Sequence, residues 1–197
     1  MIQILPPDVA NKIAAGEVVE RPSSIVKELC ENALDAGATR IEIFVEEGGM
    51  KSIHVADNGC GMDEQDCKIC LLRHATSKIS IVEDLFRLQT MGFRGEALAS
   101  IASVSQFLLI TKQKDREHGW VVGIDHDGKL MVKPSPGNQG TVVTVKNLFY
   151  NVPARKKFLK TVKTEWIHIL RYVEDFAMIH PSLELRLIHD GKDILHY

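Results

Sequence analysis

Two polar residues on one predicted helix and an aspartate followed by glycines form the pattern with the clearest chemical potential. Glu28 and Asn32 are four residues apart, and Asp57 is followed by Gly59 and Gly61. A positioned glutamate can take a proton from water, and an amide oxygen can bind magnesium. An ionised aspartate accepts hydrogen bonds, as an amino group on a nucleobase requires. These residue types together suit a site for ATP and Mg²⁺.

The segment between Pro22 and Gly37 predicts a helix that presents Glu28 and Asn32 on one side. At about 100° per residue, Asn32 lies roughly 40° from Glu28, and Asp35 lies roughly 20° to the other side. An apolar stripe recurs at helical spacing on the opposite face: Val26, Leu29, Cys30, Ala33 and Leu34. Two interpretations stay open, because a polar face can simply meet solvent or can line a nucleotide pocket.

Asp57 comes where a predicted strand leaves the sheet, and Gly59 and Gly61 permit close backbone approach. Asp-Asn-Gly is also common turn chemistry, so a plain loop is the alternative. The glycine pair is not a dinucleotide fingerprint, because Glu64 stands where the third glycine would be. The sequence also contains no G-x-x-x-x-G-K-[ST] motif, which excludes a P-loop.

A third segment, Gly92 to Leu98, predicts a glycine-flanked loop that leads into a helix. Free N–H groups at a helix start favour anions, and the Arg94 guanidinium can add a phosphate or carboxylate contact. An ordinary loop–helix junction is the alternative. Farther along, Thr141 begins a predicted strand and can bring a hydroxyl to the same pocket.

Composition limits the classes of protein that remain. The 197 residues have a formal net charge of −2, which argues against a globally basic nucleic-acid binder. No apolar run is long enough to cross a bilayer, and the first residues lack signal-peptide features. Four cysteines without a secretory signal indicate reduced thiols in a cytosolic protein.

Periodicity predicts a two-layer α/β (α+β) sandwich whose mixed, mostly antiparallel sheet carries helices on one face. Further helices are predicted at 96–103 and 164–180, and Asp127-Gly128 predicts a hairpin turn. The predicted strands are 41–45, 52–56, 107–111, 120–124, 130–133, 141–145, 183–188 and 194–197.

Several sequence blocks resemble a known family. They are Ile13–Pro22, Lys27–Ala38, Arg73–Lys78, Gly92–Ser100 and Leu148–Arg155. They are similar to the nucleotide-binding boxes of the ATPase superfamily that contains gyrase, heat-shock chaperones, histidine kinases and MutL. Within that superfamily the chain closely resembles the N-terminal half of bacterial MutL proteins of DNA mismatch repair. The resemblance implies a Bergerat-type ATP-binding fold.

The resemblance also implies roles for individual residues. Glu28 matches the catalytic base, Asn32 the magnesium ligand and Asp57 the adenine-binding aspartate. Thr76, Ser77 and Lys78 match a segment that acts as a lid over the nucleotide. The implied ATP-binding set is Asn32, Asp57, Gly59, Gly61, Met62, Thr76, Ser77, Lys78, Gly92, Phe93, Arg94, Gly95, Glu96, Ala97, Leu98 and Thr141.

The family further implies an ATP-binding domain at 1–197, with a transducer domain and a C-terminal dimerisation domain outside this chain. Because a phosphate-contacting lysine belongs to the next domain in this family, we expect residues 1–197 to be a Mg-dependent ATPase of slow or incomplete turnover. We also expect this fragment to be a monomer. The implied full-length protein is a bacterial, cytoplasmic, nucleoid-associated homodimer. Its expected partners are DNA, a mismatch-recognition protein and a downstream nuclease or helicase; no membrane is involved. A non-catalytic nucleotide-gated scaffold and a topoisomerase ATPase subunit are the competing functions.

Two further signals are weaker. A basic run at Arg155, Lys156, Lys157, Lys160 and Lys163 is either a solvated surface or a contact for the DNA backbone. Cys67 and Cys70 form a C-x-x-C, but no second pair exists, so helix packing is favoured over zinc.

Overall fold

One eight-stranded sheet organises the chain. The computed structural model describes residues 3, 15–76, 95–125 and 127–197. The strands are β1 (Arg40–Glu46), β2 (Ser52–Asp57), β3 (Gln106–Lys112), β4 (Gly119–Ile124), β5 (Leu130–Ser135), β6 (Gly140–Lys146), β7 (Glu184–His189) and β8 (Lys192–His196). All eight were predicted, with end points that differ by one or two residues.

The strand order is β5-β4-β3-β6-β2-β1-β7-β8. Every neighbouring pair is antiparallel except β1 with β7, which run parallel. Short hairpins join β1 to β2, β4 to β5 and β7 to β8, and Gly128 takes φ 76° in the predicted turn between β4 and β5. The sheet is therefore mixed and mostly antiparallel, as predicted.

The helices are α1 (Pro22–Asp35), α2 (Glu64–Ile69), α3 (Ala97–Ser103), α4 (Pro153–Lys156) and α5 (Val162–Ile179), with a 3₁₀ turn at Glu47–Gly49. Residues 15–18 are also helical. The longest helix, α5, is capped by the Thr161 side chain, which accepts a hydrogen bond from the Thr164 amide.

Local sequence explains both ends of α1. Pro22 occupies the first turn, where its missing N–H costs nothing. At the other end Gly37 has φ 72° and donates its amide to Leu34 O at 2.8 Å. The Ala38 amide bonds to Ala33 O at 3.0 Å, which completes a Schellman motif. The predicted glycine stop is confirmed.

The core lies between the sheet and the helices α1 and α5. Inward positions alternate along the strands, as with Ile41, Ile43 and Val45 of β1, all of which are buried. The apolar stripe of α1 packs onto this layer, and α5 packs beside α1. Because α1 is anchored through its apolar stripe, its polar face is held along one side of the sheet.

Candidate functional site

A cavity of about 1060 Å³ opens beside α1. Its walls are the polar face of α1, the end of β2 with the loop that follows, the start of β6 and the residues that precede α3. That volume is just above the range of roughly 300–1,000 Å³ for pockets that enclose small ligands. Predicted site residues among the described part line it: Glu28, Asn32, Asp57, Gly61, Met62, Thr76, Gly95, Glu96, Ala97, Leu98 and Thr141.

The polar face of α1 forms one wall and is half-buried. Glu28, Asn32 and Asp35 all line the cavity, and each lies about one helical turn from the next. Glu31 lies next to them and pairs with Lys27 at 3.9 Å. Of the two interpretations left open by the sequence, the pocket wall is therefore the one found. On the opposite side of α1, burial raises the pKa of the Cys30 thiol far above its usual value, so that thiol stays protonated.

Asp57 is the last residue of β2, and its carboxylate is held by the backbone around it. Its Oδ1 accepts the Gly59 amide at 2.8 Å and the Thr141 amide at 3.2 Å. Within the described ranges, no hydrogen bond reaches its Oδ2. Burial raises the pKa of Asp57, and the two amide hydrogen bonds oppose that shift. The result is a partly desolvated acceptor in a fixed position on the cavity wall.

The loop after Asp57 is held to the sheet by Asn58. Its Oδ1 accepts the amides of Thr39 at 2.8 Å and Arg40 at 2.9 Å, and its Nδ2 donates to Thr39 Oγ1 at 2.8 Å. Turn chemistry therefore coexists with the pocket instead of replacing it. Gly59 is the exception among the described site residues, because it is buried, supports Asp57 through its amide and does not line the cavity.

Gly61 and Gly95 each permit a conformation and an approach that a side chain would block. Gly61 has φ 70°, and a Cβ there would overlap the Lys112 carbonyl. Gly95 has φ 62°, and a Cβ there would meet Ala75 O at 2.6 Å. The approach of Gly95 to Ala75 shows that the segment ending at Thr76 lies against the segment that begins at Gly95, at the edge of the cavity. Ser77, Lys78, Gly92, Phe93 and Arg94 lie outside the described residues.

The sequence interpretation missed one polar residue behind the cavity wall. Thr111, at 1% exposure, makes hydrogen-bond contacts with Met62, Gly140 and Thr141. A signal existed, since Phe107, Leu109 and Thr111 occupy the inward positions of β3 and only the last is polar. The cavity wall also includes residues that had no predicted role, such as Glu17, Ser24, Cys60 and Gln113.

The C-x-x-C motif packs at the edge of the same cavity. Cys67 is buried in α2, and burial raises the pKa of its thiol to about 12. Burial also raises the pKa of Cys70 to about 11. In the described parts of the chain, no group of three or more His, Cys, Asp or Glu side chains could hold a metal ion.

Four lysines of the basic run are exposed, whereas Arg155 turns inward. The Arg155 guanidinium lies against Gly16, where a Cβ would overlap it, and donates to Val19 O at 3.4 Å. It also lies 6.0 Å from the centroid of the Phe149 ring. Including Arg155 in a solvated basic surface was therefore wrong, because this half-buried side chain contacts Val19 and Phe149. Lys156, Lys157, Lys160 and Lys163 remain on the surface.

Comparison with known proteins identifies the family. Residues 20–131 match the model described as "Histidine kinase-, DNA gyrase B-, and HSP90-like ATPase". The chain belongs to this ATPase family. The matched range contains Glu28, Asn32 and Asp57 and most of the other cavity-lining residues, whereas Glu17, Val18, Thr141 and Val143 lie outside it.

Within this ATPase family, the chain is similar to MutL proteins of DNA mismatch repair. The DNA mismatch repair protein MutL of Yersinia pestis (strain Pestoides F) is 51% identical over 197 residues, covering 100% of this chain and 31% of that protein. MutL of Yersinia pseudotuberculosis serotype O:1b (strain IP 31758) gives the same values. The predicted MutL resemblance is confirmed over the full chain. The chain spans about a third of the length of these relatives.

Solved structures agree with the fold. The Aquifex aeolicus MutL ATPase domain complexed with ADP matches with a TM-score of 0.72 and 32% identity, covering 91% of this chain and 64% of that one. The N-terminal domain of a DNA repair protein matches with a TM-score of 0.79 and 31% identity, covering 95% and 56%. The predicted fold class is therefore confirmed.

Among the described helices of this ATPase-family chain, none has the length and apolarity needed to span a bilayer.

Proposed function

We propose that the chain binds ATP with Mg²⁺ and hydrolyses it, as the ATP-binding domain of a MutL-like DNA mismatch-repair protein. The observation that supports this most is that Asp57 and the α1 pair Glu28 and Asn32 line the same cavity. In that cavity Asp57 would accept a hydrogen bond from adenine, Glu28 would accept a proton and Asn32 would bind the metal ion. Family membership and the ADP-bound relative agree with this assignment.

Asp57 is the proposed adenine contact. Both of its hydrogen bonds use Oδ1, so Oδ2 is the oxygen left to accept from the 6-amino group of adenine. Its partial burial removes competing water, which strengthens a hydrogen bond to the ionised form. Gly61 and Met62 line the cavity next to it and would pack against the purine ring.

Charge on the cavity wall supports the need for Mg²⁺. Among the described lining residues there are eight carboxylates and one lysine, Lys27. The carboxylates are Glu17, Glu20, Glu28, Glu31, Asp35, Asp57, Asp66 and Glu96. A triphosphate is itself strongly anionic, so it would enter this wall at an electrostatic cost. Bound Mg²⁺ would offset phosphate charge, and the Asn32 amide oxygen is the hard neutral ligand that magnesium accepts.

Glu28 is the proposed general base for the water that attacks the γ-phosphate. It lines the cavity one turn before Asn32, so the proton acceptor and the metal ligand share one rigid element. Rigid helical placement favours the fixed geometry that base catalysis needs. A positioned base contributes about 10²–10⁴-fold in rate.

The residues at the edge of the cavity are proposed to contact the phosphates. Thr76 and the segment 95–98 line the cavity. His74 Nδ1 is 3.3 Å from Glu96 Oε1, which links the two chain segments that meet there. Roles for Ser77, Lys78, Gly92, Phe93 and Arg94 stay predictions, since they lie outside the described residues.

The larger biological role follows from the MutL resemblance. ATP binding would drive conformational switching and N-terminal dimerisation that couple mismatch recognition to downstream repair factors. The exposed lysines Lys156, Lys157 and Lys160 are proposed to contact the DNA backbone weakly and without sequence preference. A cytoplasmic, nucleoid-associated homodimer is proposed for the full-length protein, and slow turnover as a monomer for residues 1–197 alone.

Calorimetric titration tests the nucleotide site directly. Residues 1–197 are titrated with ADP, ATP and GDP in the presence of Mg²⁺ and again with EDTA. We expect binding of the adenine nucleotides, weaker binding of GDP, and a clear loss of ATP affinity when Mg²⁺ is removed. Phosphate release from ATP separates an ATPase from a nucleotide-gated scaffold. Absence of adenine-nucleotide binding with Mg²⁺ present would refute the proposed function.

A further inference from the structure

Asp57, Thr141 and Thr111 stand side by side on three neighbouring strands. The register pairs Asp57 of β2 with Thr141 of β6, and Thr141 with Thr111 of β3. Asp57 and Thr141 line the cavity, whereas Thr111 lies behind them at 1% exposure. The row therefore has two members that can touch a ligand and a third that can act only through its neighbours.

The donor or acceptor character of its three partners determines the direction of each hydrogen bond of Thr111. Its Oγ1 lies 2.9 Å from the Met62 amide, 3.2 Å from Gly140 O and 3.0 Å from Thr141 Oγ1. The amide can only donate and the carbonyl can only accept. A hydroxyl has one hydrogen, so the Thr111 hydrogen goes to Gly140 O. All three contacts are satisfied together only if the Thr141 hydroxyl donates to Thr111.

This direction determines what Thr141 offers to the cavity. Its hydrogen points to Thr111, which leaves the lone pairs of Oγ1 for a ligand. Its backbone amide is also committed, because it donates to Asp57 Oδ1 at 3.2 Å. Next to it, ionised Asp57 accepts hydrogen bonds only. This part of the wall therefore presents acceptors, and it fits a ligand edge that carries donors.

We propose that Thr111 is a positioning residue that holds Thr141 as an acceptor and so favours a 6-amino purine over a 6-oxo purine. The inference rests on the proposed adenine-nucleotide function and extends it to a residue that no ligand touches. An amino group has two hydrogens, one for Asp57 and one for Thr141, directly or through a water. A 6-oxo group presents lone pairs to the same two acceptors and is disfavoured.

A structural role for Thr111 exists as well, and it predicts a different result. The bond from the Met62 amide ties the Gly61–Met62 turn to β3, so its loss would loosen the cavity wall in general. General loosening lowers the affinity for every purine nucleotide by a similar factor. Reorientation of Thr141 changes the preference between purines, because its freed hydroxyl can turn and donate to a 6-oxo group.

The test is the ratio of dissociation constants for inosine diphosphate and ADP, measured by calorimetry with Mg²⁺. In Thr111→Val, which keeps the shape and removes the hydroxyl, we expect this ratio to fall about three- to tenfold, the scale of one net hydrogen bond. Thr111→Ser should keep the ratio of the parent protein. Thr144→Val is the matched control, because Thr144 lies on β6, the strand of Thr141, and its hydroxyl contacts His54 on the other face of the sheet.

A thermodynamic cycle shows whether Thr111 acts through Thr141. In the Thr141→Val background, Thr111→Val should not change the ratio further. If Thr111→Val does not fold, Thr111→Cys supplies a weaker donor and acceptor, and its ratio should still fall. A ratio equal to the parent value in a folded variant would overturn the inference. Failure of the parent protein to bind ADP would instead overturn the proposed function.

Discussion

Asp57→Asn separates the chemistry of the cavity wall from its shape. The asparagine oxygen can replace Oδ1 and keep the amides of Gly59 and Thr141, now at 2.8 and 3.2 Å. Its NH₂ group then occupies the place of Oδ2 and presents donors to the adenine amino group. The substitution therefore exchanges one acceptor for a donor and leaves the backbone contacts intact.

The expected loss can be estimated from that single exchange. A hydrogen bond to a charged group contributes about 1.5–3 kcal/mol, which corresponds to roughly 10- to 100-fold in Kd. ADP affinity should fall by that factor, whereas GDP affinity should stay the same or rise, because a 6-oxo group can accept from the new NH₂. Isothermal calorimetry on the parent and the variant measures both.

The pH dependence of stability and of ADP affinity gives an independent test of Asp57. Burial raises the pKa of Asp57 in the folded protein, so the ionised form costs folding stability. Protonated Asp57 therefore favours the folded state at a pH below its pKa in the unfolded chain, about 3.9. The parent loses this contribution to stability as pH rises from there through the raised folded pKa. Asp57→Asn removes this pH dependence, so its melting temperature at pH 7 should equal or exceed that of the parent. ADP affinity of the parent should fall as pH drops through the same pKa.

A matched control excludes a general charge effect. Asp193→Asn removes a carboxylate that pairs with Arg186 at 2.8 Å on β7 and β8, away from the cavity, and should leave ADP affinity unchanged. Equal losses for ADP and GDP in Asp57→Asn would contradict the adenine contact. So would unchanged ADP binding in a folded variant.

Three further perturbations test other parts of the site. Glu28→Ala should keep ADP binding and lower the rate of phosphate release about 10²–10⁴-fold, measured in this chain and in a longer protein that contains it. Gly61→Ala should lower the free energy of unfolding by more than about 1 kcal/mol, because φ is 70° and a Cβ would overlap the Lys112 carbonyl. Joint replacement of Lys156, Lys157 and Lys160 by alanine should weaken binding to all DNA sequences alike and reduce the salt slope by about 0.9 per lost phosphate contact.

The first two of these have a matched control variant, and the third has an outcome that would refute it. Glu31→Ala removes a neighbouring carboxylate paired with Lys27 and should reduce turnover much less than Glu28→Ala. Gly37→Ala carries a similar left-handed cost at φ 72°, but its added Cβ would meet nothing within 4 Å beyond its own chain neighbours. It should therefore destabilise less than Gly61→Ala in urea melts. A salt slope that does not change would return the three lysines to an ordinary solvated surface. Parent-level turnover in Glu28→Ala would exclude it as the base.

Much of this protein could be predicted from sequence because the relevant signals are local. The stripe through Val26, Leu29 and Ala33 predicts α1 and therefore the side on which Glu28 and Asn32 lie. Gly37 predicts the end of that helix, and alternation predicts the strands. Asp57 with its glycines predicts an acceptor beside a tight backbone turn. The order and spacing of the blocks predict the ATPase family, which the comparisons confirm.

Other features depend on contacts between distant residues. Alternation indicates that a strand has a buried face but does not identify its neighbours, so the parallel pairing of β1 with β7 could not be predicted. Arg155 looked like one more surface cation until packing placed its guanidinium against Gly16, 139 positions earlier in the chain. Its inward orientation depends on contacts with Gly16 and Val19 that form only when these distant segments pack together.

The sequence by itself determined which residues could do chemistry here, because residue type and helical or strand period are properties of neighbouring positions. The tertiary structure alone decided which of their atoms are available. It joins Asp57, Thr141 and Thr111 into one row across β2, β6 and β3. Within that row each hydroxyl has only one hydrogen to donate, and the surrounding partners determine where it points.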